Sequence, residues 1–103
     1  LFSVSFEGCQ LDLSSFFKRQ LKETVFKNCS LREVDFAEAN LAGAAFEHCS
    51  LNGAIFEKTN LEGADFRTAQ HYSIDPEMNR VRKARFSFDG LAGLLEKYDI
   101  KVE

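Results

Sequence analysis

The sequence lacks a strong excess of charge, a long apolar run and any tryptophan. Its 103 residues carry 13 lysines and arginines against 16 aspartates and glutamates, a formal net charge of −3. This balance excludes a strongly basic nucleic-acid-binding protein, and no apolar run is long enough to cross a membrane. No signal peptide is visible, but the chain opens on Leu1 rather than on Met. We therefore expect the native protein to have further sequence before Leu1.

Residue groups typical of enzymes are also lacking. The only histidines are His48 and His71, and no glycine-rich phosphate loop or set of metal-spaced ligands accompanies them. No nucleophile stands beside a candidate base. We therefore expect a protein that is not an enzyme and that needs no cofactor.

What the sequence does have is a large apolar residue at every fifth position of residues 1–70. Leu and Phe alternate strictly at these positions, which are Leu1, Phe6, Leu11, Phe16, Leu21, Phe26, Leu31, Phe36, Leu41, Phe46, Leu51, Phe56, Leu61 and Phe66. A step of five follows one face of neither an α-helix nor a straight strand. A chain that runs extended for about three residues and then turns a corner buries all of them inside a closed coil.

The pattern resembles the pentapeptide-repeat family, whose motif is written A(D/N)LXX. The stretches Ala39-Asn40-Leu41-Ala42-Gly43 and Thr59-Asn60-Leu61-Glu62-Gly63 match this motif closely. The resemblance implies an all-β solenoid, a right-handed quadrilateral β-helix, over residues 1–70. Such a coil has four sides, so residues 20 apart stack on one another.

The three cysteines, Cys9, Cys29 and Cys49, are spaced by 20 and should therefore stack. Their expected separation of roughly 4.8 Å approaches disulfide reach, which leaves a metal or redox role as an alternative. A free cysteine is also a small hydrophobe that suits a cramped interior position. We favour this interpretation, and the odd count indicates a reduced, cytoplasmic protein.

Most residues two positions before each large apolar residue are small or β-branched, and Arg19 is the exception. Burial of an unpaired guanidinium is costly, so we expect a bulge or a register shift that lets Arg19 reach water. Phe17 is then either a solvent-exposed irregularity or an anchor for a partner. Two surface columns, Glu7-Lys27-Glu47-Arg67 and Lys18-Glu38-Lys58, alternate in sign and predict charge pairs between coils.

The repeat breaks at residues 71–80, which read as a loop that leaves the coil, because His71 replaces a leucine and Asp75-Pro76 favours a turn. The five-residue phase returns over residues 81–88 as a last partial coil. A basic cluster decorates this coil, either as a solvated edge or as a site for phosphate or an acidic partner. Its members are Arg80, Arg82, Lys83 and Arg85.

Residues 89–103 predict a capping α-helix over residues 90–98 with Asp89 as N-cap, followed by a short strand-like tail. The apolar stripe of the helix and the tail lack an obvious partner within the chain. We therefore expect a two-fold homodimer through this region. The interface candidates are Leu91, Leu94, Leu95, Tyr98, Ile100 and Val102.

This ending is similar to that of bacterial quinolone-resistance-type pentapeptide-repeat proteins. The resemblance implies dimerisation through the C-terminal helix and binding to DNA gyrase or topoisomerase IV by mimicry of duplex DNA. The candidate partner-binding acids are Asp35, Glu57, Glu62, Asp65, Asp75 and Glu77. The alternative is a scaffold rod with an unrelated protein partner. Direct nucleic-acid binding through the basic cluster is a weaker third hypothesis, because the net charge is negative.

Overall fold

The computed structural model describes residues 4–95 and 98, which form a parallel β-helix of 20 residues per coil. Strands β1 (Ser5–Glu7), β2 (Val25–Lys27) and β3 (Ala45–Glu47) make one sheet in the order β1-β2-β3. Each strand pairs in parallel with the strand one coil away. Isolated parallel bridges with the same 20-residue step form the other sides. The molecule is a rod with Cα extents of 39 × 23 × 22 Å.

Each side is named here after its first central residue: the Phe6, Leu11, Phe16 and Leu21 sides. The corner between two sides lies two residues after each central residue, where φ is positive in most repeats. Glycine fits this conformation because it has no Cβ, as at Gly53 with φ of +71°. Charged residues such as Glu33 and Lys58 adopt it as well. The corner therefore tolerates many side chains, all of which point to solvent.

Two columns of phenylalanine rings fill the interior. Phe26 and Phe46 stack on the Phe6 side with ring centroids 5.1 Å apart and planes at 7°. Phe36 belongs to the column on the Phe16 side and meets Phe26 edge-on at 6.0 Å and 76°. Offset stacks along a column and edge contacts across it are both favourable aromatic geometries. The alternation of Leu and Phe thus gives two aromatic sides and two leucine sides.

The positions two before each large residue are buried from Thr24 to Ala69, which leaves space only for small side chains. Cys29 and Cys49 occupy such positions, and their thiols donate to the carbonyls of Phe6 and Phe26 at 3.3 and 3.2 Å. Burial raises the pKa of Cys49 to about 11. All three cysteines are free thiols, so the stacked cysteines pack as small hydrophobes rather than as a disulfide.

The bulge expected at Arg19 does not form. The ladder stays in register across this region through the bridges Ser15 to Asp35 and Gln20 to Asn40. Arg19 is nonetheless exposed, and among the described residues only Ala39 lies one coil away from it in the same column. The first described coil therefore keeps its register with an arginine at an interior position.

Residues 71–79 fold inward instead of forming a solvated excursion. Tyr72 and Ile74 are buried, and the Tyr72 ring lies between Phe66 and Phe86 with centroids 5.4 and 5.6 Å away. The ladder resumes at the bridge between Asn60 and Arg80. The segment replaces regular repeats with an aromatic plug at the end of the channel.

The C-terminal segment differs from the predicted α-helix. A four-residue 3-10 helix runs from Leu91 to Leu94, its N-cap is Gly90 rather than Asp89, and no side chain caps it. Close packing explains this geometry, because Gly93 accepts a hydrogen bond at its carbonyl from the Ile74 N–H at 2.8 Å. The residues 96, 97 and 99–103, which include Ile100 and Val102 of the predicted interface, lie outside the described part. No helix in the described residues is long and apolar enough to cross a membrane.

Candidate partner-binding surfaces

The six predicted acidic residues do not share one face of the rod. Asp35 lies on the Phe16 side in register with Ile55, whereas Asp65 lies on the opposite Phe6 side in register with Arg85. Glu57 and Glu62 each lie one residue before a corner, at Lys58 and Gly63, and both are exposed. The fold therefore distributes these carboxylates around the rod instead of collecting them.

Several carboxylates are engaged in local structure. Asp35 accepts the N–H of Ala37 at 2.9 Å, and Asp75 accepts that of Glu77 at the same distance. Asp12, which the sequence did not single out, links two coils: it accepts the hydroxyl of Ser30 at 2.6 Å and the N–H of Arg32 at 2.9 Å, and these bonds lower its pKa. These carboxylates therefore stabilise corners and connect neighbouring coils through hydrogen bonds.

Asp65 is neutralised by basic neighbours. Arg67 donates to both of its carboxylate oxygens, with Nη2 2.9 Å from Oδ2 and Nε 3.0 Å from Oδ1. This pairing lowers the pKa of Asp65, and the charge of Arg85 in the next coil adds to the effect. Asp65 therefore remains ionised but contributes little net negative potential at the surface.

The predicted charge columns have the expected register but not the expected ion pairs. Glu7, Lys27 and Glu47 are directly opposite one another in the sheet. Within the described residues, however, the one ion pair is Arg67 with Asp65, inside a single corner. Long side chains one coil apart remain solvated, because exposed pairs gain little from fixing their geometry.

The basic cluster is exposed and lies on the coil directly after the acids. Arg82 and Lys83 line a shallow cleft with Glu62 and Gly63, and Arg85 is in register with Asp65. Opposite charges on adjacent coils therefore offset one another along two sides. The fields that long-range attraction of nucleic acid requires are correspondingly weak.

Apolar side chains are exposed at the C-terminal end. Phe88 is 91% exposed, Leu91 36% and Tyr98 44%. Leu94 and Leu95 are half-buried, and Leu94 packs against the core. Four of the six predicted interface residues therefore lie within the described part, and three-residue spacing brings Leu91 and Leu94 together on the 3-10 helix.

The structure also contains a feature that the repeat pattern did not predict: a notch on the Phe16 side above the third coil. It is a cavity of about 320 Å³ whose walls include Ile55, Glu57, Ser73, Asp75 and Met78. Ile55 and Met78 are 42% and 47% exposed. The break at residues 71–80 was the only sequence signal for it. The inward path of Tyr72, which opens the notch, depends on packing against Phe66 and Phe86.

The sequence profile of the pentapeptide repeat region matches residues 1–73, which is most of the chain. The chain belongs to the pentapeptide-repeat family. No curated protein matches this chain. Among the solved pentapeptide-repeat structures it is similar to a trypsin-treated form of QnrB1, a plasmid-mediated fluoroquinolone resistance protein, at 19% identity and a TM-score of 0.43. That likeness covers 86% of this chain and 45% of QnrB1.

Two other pentapeptide-repeat proteins are similar in structure. One comes from the thylakoid lumen of Arabidopsis thaliana, with 23% identity, a TM-score of 0.45 and coverage of 75% of this chain and 61% of that one. The other is HetL of the cyanobacterium Nostoc sp. strain PCC 7120, involved in heterocyst differentiation regulation, with 18% identity, a TM-score of 0.33 and coverage of 84% and 47%. This chain spans less than two thirds of the length of each of these relatives.

The pentapeptide-repeat coil offers few chemical groups in one place. Within the described residues, no group of three or more histidines, cysteines or acids is arranged to hold a metal ion. The buried polar side chains serve the backbone: Thr59 donates to the Phe36 carbonyl at 2.9 Å, and Asn79 donates to the Phe56 carbonyl at 2.9 Å. The surfaces available to other molecules are therefore the outer sides, the notch and the C-terminal end.

Proposed function

We propose that this pentapeptide-repeat protein is a non-enzymatic rod that binds another protein through its outer sides. The observation that carries the proposal is the separation of apolar side chains inside the coil from charged side chains outside it. The largest fully buried side chains are Phe, Leu, Ile, Val and Thr, which pack against one another, whereas every lysine, arginine and glutamate with a described position is at least partly exposed. A stiff, nearly neutral surface suits contact with a protein better than contact with a polyanion.

Site-specific photo-crosslinking tests this proposal. A benzophenone amino acid is placed at one exposed position on each side, for example at Glu7, Arg32, Glu57 and Glu62 in turn, and the protein is irradiated in the cells that naturally produce it. We expect a discrete protein adduct from one or two sides, with the remaining sides as internal controls. Absence of an adduct at all four positions contradicts the proposal.

A second candidate function is binding to DNA gyrase or topoisomerase IV by mimicry of duplex DNA. Its support is the elongated shape of the rod, with Cα extents of 39 × 23 × 22 Å, together with a net charge of −3. The scattered acids and the neutralised Asp65 weigh against it, because a mimic of phosphates needs a dense array of one sign.

A gyrase supercoiling assay, run with and without a fluoroquinolone, separates the two candidates. Inhibition by micromolar protein, or protection from the drug, would support DNA mimicry and predict loss of the effect on substitution of Glu57 and Glu62 by Gln. No effect in either arm would contradict the topoisomerase hypothesis and leave the protein-binding rod.

The homodimer and the cytoplasmic location remain part of the proposal. The exposed Phe88, Leu91 and Tyr98 support association of two copies at the C-terminal end, because exposed apolar clusters mark interaction sites. Sedimentation of the purified protein at micromolar concentration tests this, and a purely monomeric species would contradict it. The free thiols Cys29 and Cys49 support a reducing compartment, which localisation of a tagged chain would test.

A further inference from the structure

The hydrogen-bond ladder of the Phe16 side stops after the third coil. Asp35 pairs fully with the first coil: its N–H donates to the Ser14 carbonyl at 3.0 Å, and its carbonyl accepts from the Phe16 N–H at 2.7 Å. Ile55 repeats this arrangement one coil later with Val34 and Phe36, at 2.9 Å in both bonds. No described residue continues the ladder beyond Ile55.

Three backbone groups are consequently left without a partner at this edge. The N–H of Gly53, the carbonyl of Ala54 and the N–H of Phe56 form no hydrogen bond with a described residue. The equivalent groups on other sides are paired: the Gly43 N–H donates to Glu62 at 2.8 Å, and the Leu61 N–H donates to Arg80 at 2.7 Å. The gap is therefore specific to one side, where the closing segment does not continue the ladder that the other sides carry one coil further.

The path of the closing segment explains why this edge is open. Tyr72 and Ile74 turn into the channel, and the Ile74 N–H is used by Gly93 at 2.8 Å. Pro76, which replaces a repeat phenylalanine, has no N–H to offer. The segment rejoins the coil where the Lys58 N–H donates to the Met78 carbonyl at 2.9 Å, and the Asn79 side-chain amide donates to both the Phe56 and the Asp75 carbonyls at 2.9 Å. What remains between these points is the notch of about 320 Å³.

The unpaired groups have the order and spacing of a parallel β ladder. A residue placed over Ile55 would donate its N–H to Ala54 and accept from Phe56, as Asp35 does with the first coil. A residue three positions earlier would accept from Gly53, as the Arg32 carbonyl accepts from Leu13 at 2.9 Å. A short extended segment can therefore pair with Ala54 and Phe56, whereas contact with Gly53 requires it to turn at a corner, as the chain does at Glu33 between Arg32 and Asp35.

The side chains around the edge indicate the chemistry of the segment. Residues in register across a parallel ladder are neighbours, so the segment residue over Ile55 meets an exposed apolar side chain, flanked by Met78. The residue two positions later meets Glu57. An apolar residue followed two positions later by Lys or Arg matches both neighbours.

We propose that the Phe16 side of the third coil is an open β edge that receives an extended segment of a partner protein. The segment adds as a parallel strand with an apolar residue over Ile55 and a basic residue over Glu57. This inference rests on the proposed protein-binding function and names the surface and the partner chemistry. Failure at this edge alone would leave crosslinks from the other three sides unaffected, so the two proposals can be told apart.

The direct test is an NMR titration of the full chain, labelled with nitrogen-15, with an acetylated and amidated octapeptide of alternating valine and lysine. We expect the amide protons of Gly53 and Phe56 to shift downfield and to exchange more slowly with solvent as peptide is added. Absence of binding up to about 1 mM peptide, or shifts confined to other residues, would overturn the proposal. Slow exchange of both amides before peptide is added would also overturn it, because the chain itself would then occupy the edge.

Matched variants separate edge binding from general charge attraction. Glu57→Lys places a like charge opposite the peptide lysine and should weaken binding about fivefold. Glu62→Lys is the control, because Glu62 is exposed at the same repeat position one corner later, and it should bind as the parent does. A peptide methylated on its central valine amides should lose binding, because it cannot donate to Ala54. Equal weakening by both protein variants would contradict the proposed register.

Discussion

The regular coils of residues 21–70 and the closing segment of residues 71–94 solve the same problem by different means. In the coils, every large apolar side chain is covered by a copy of itself 20 residues away, as Phe46 is by Phe26 and Phe66. In the closing segment, Tyr72 and Ile74 cover the channel and have no counterpart in the repeat. Repeated coils bury one another's apolar side chains, but they cannot cover the last coil, since each added coil exposes a new edge. The end here is an aromatic plug that leaves one side of the coil open.

The largest effect should come from breaking a regular coil. Phe46→Ala removes a ring that stacks on Phe26 and Phe66 at 5.1 and 4.8 Å, and we expect it to lower the free energy of unfolding by about 4 kcal/mol. Urea denaturation followed by circular dichroism measures this. Phe17→Ala is the control, because Phe17 is 44% exposed, and a loss as large as that of Phe46→Ala would contradict the assignment of the core.

Breaking the plug should have a smaller effect. A Cβ at Gly90 would lie closer to the Tyr72 hydroxyl than normal van der Waals contact allows, so Gly90→Ala should cost about 2 kcal/mol in urea unfolding. The Tyr72 Oη is buried without a hydrogen bond of normal geometry to any described residue, although interaction with Ser87 partly opposes the burial that raises the pKa of Tyr72.

The matched background for this test is Tyr72→Phe, which removes the contacting atom. Alone it should be neutral or stabilise the fold by about 1 kcal/mol, since an unpaired buried hydroxyl is lost. Gly90→Ala should then be tolerated in the Tyr72→Phe chain. A full loss of stability in both backgrounds would show that the glycine is required for another reason.

Alkaline pH should reveal the burial of Cys49 in the regular coils. Its pKa is raised from an ordinary value of 9.0 to about 11, so the thiol is neutral when folded at lower pH. The resulting stability is fully present below pH 9 and is lost as pH rises towards 11. After allowance for screening by solvent, the loss should be at most about 2 kcal/mol.

The measurement is urea unfolding of the parent and of Cys49→Ala between pH 8 and pH 11, where alanine fits as it does at Ala44. The variant should lose less stability over this range, because the titrating thiol is gone. Parallel pH profiles for the two proteins would contradict a raised pKa at this position.

The smallest effect concerns the surface. Arg67→Ala removes the partner of Asp65, so the lowered pKa of Asp65 should rise towards its ordinary value, as followed by NMR titration of its carboxyl carbon. The stability that this lowered pKa contributes is present above the ordinary pKa of Asp and disappears as pH falls through the folded value. Urea unfolding at neutral pH should hardly change, since the Arg67 side chain is exposed and that of Asp65 is only half-buried. An unchanged titration curve would mean that Arg85 and the corner hydrogen bonds, rather than Arg67, lower the pKa of Asp65.

Most of the coil could be predicted from the sequence, because its pattern repeats at a period that one architecture satisfies. The central residues and the small interior positions follow from the side chains themselves, and the 20-residue register follows from the four sides that the family resemblance implies. The bulge at Arg19 was predicted wrongly because burial was assumed to be equal in every coil. The α-helix was predicted wrongly because the apolar spacing of Leu91 and Leu94 fits either helix type, and only contact with Tyr72 decides between them.

The candidate surfaces were harder to predict. The sequence identifies which residues are acidic or basic, but their effective charge depends on corner geometry, which brings Arg67 onto Asp65 and leaves Lys27 solvated. The local sequence does not predict the open edge at Gly53 and Phe56, because the residues there follow the five-residue pattern. Its cause lies 20 residues away in the segment that fails to cover it.

By itself, the sequence determined a closed coil with a Leu and Phe interior that turns a corner every five residues, because neither a helix nor a straight strand buries that pattern; its four sides were implied by the resemblance to the pentapeptide-repeat family. Only the tertiary structure decided how the coil ends and which backbone groups have no partner among the described residues. The reason is physical: a repeat specifies contacts between equivalent positions, whereas the plug of Tyr72 and Ile74 is specified by non-equivalent positions whose fit depends on close packing.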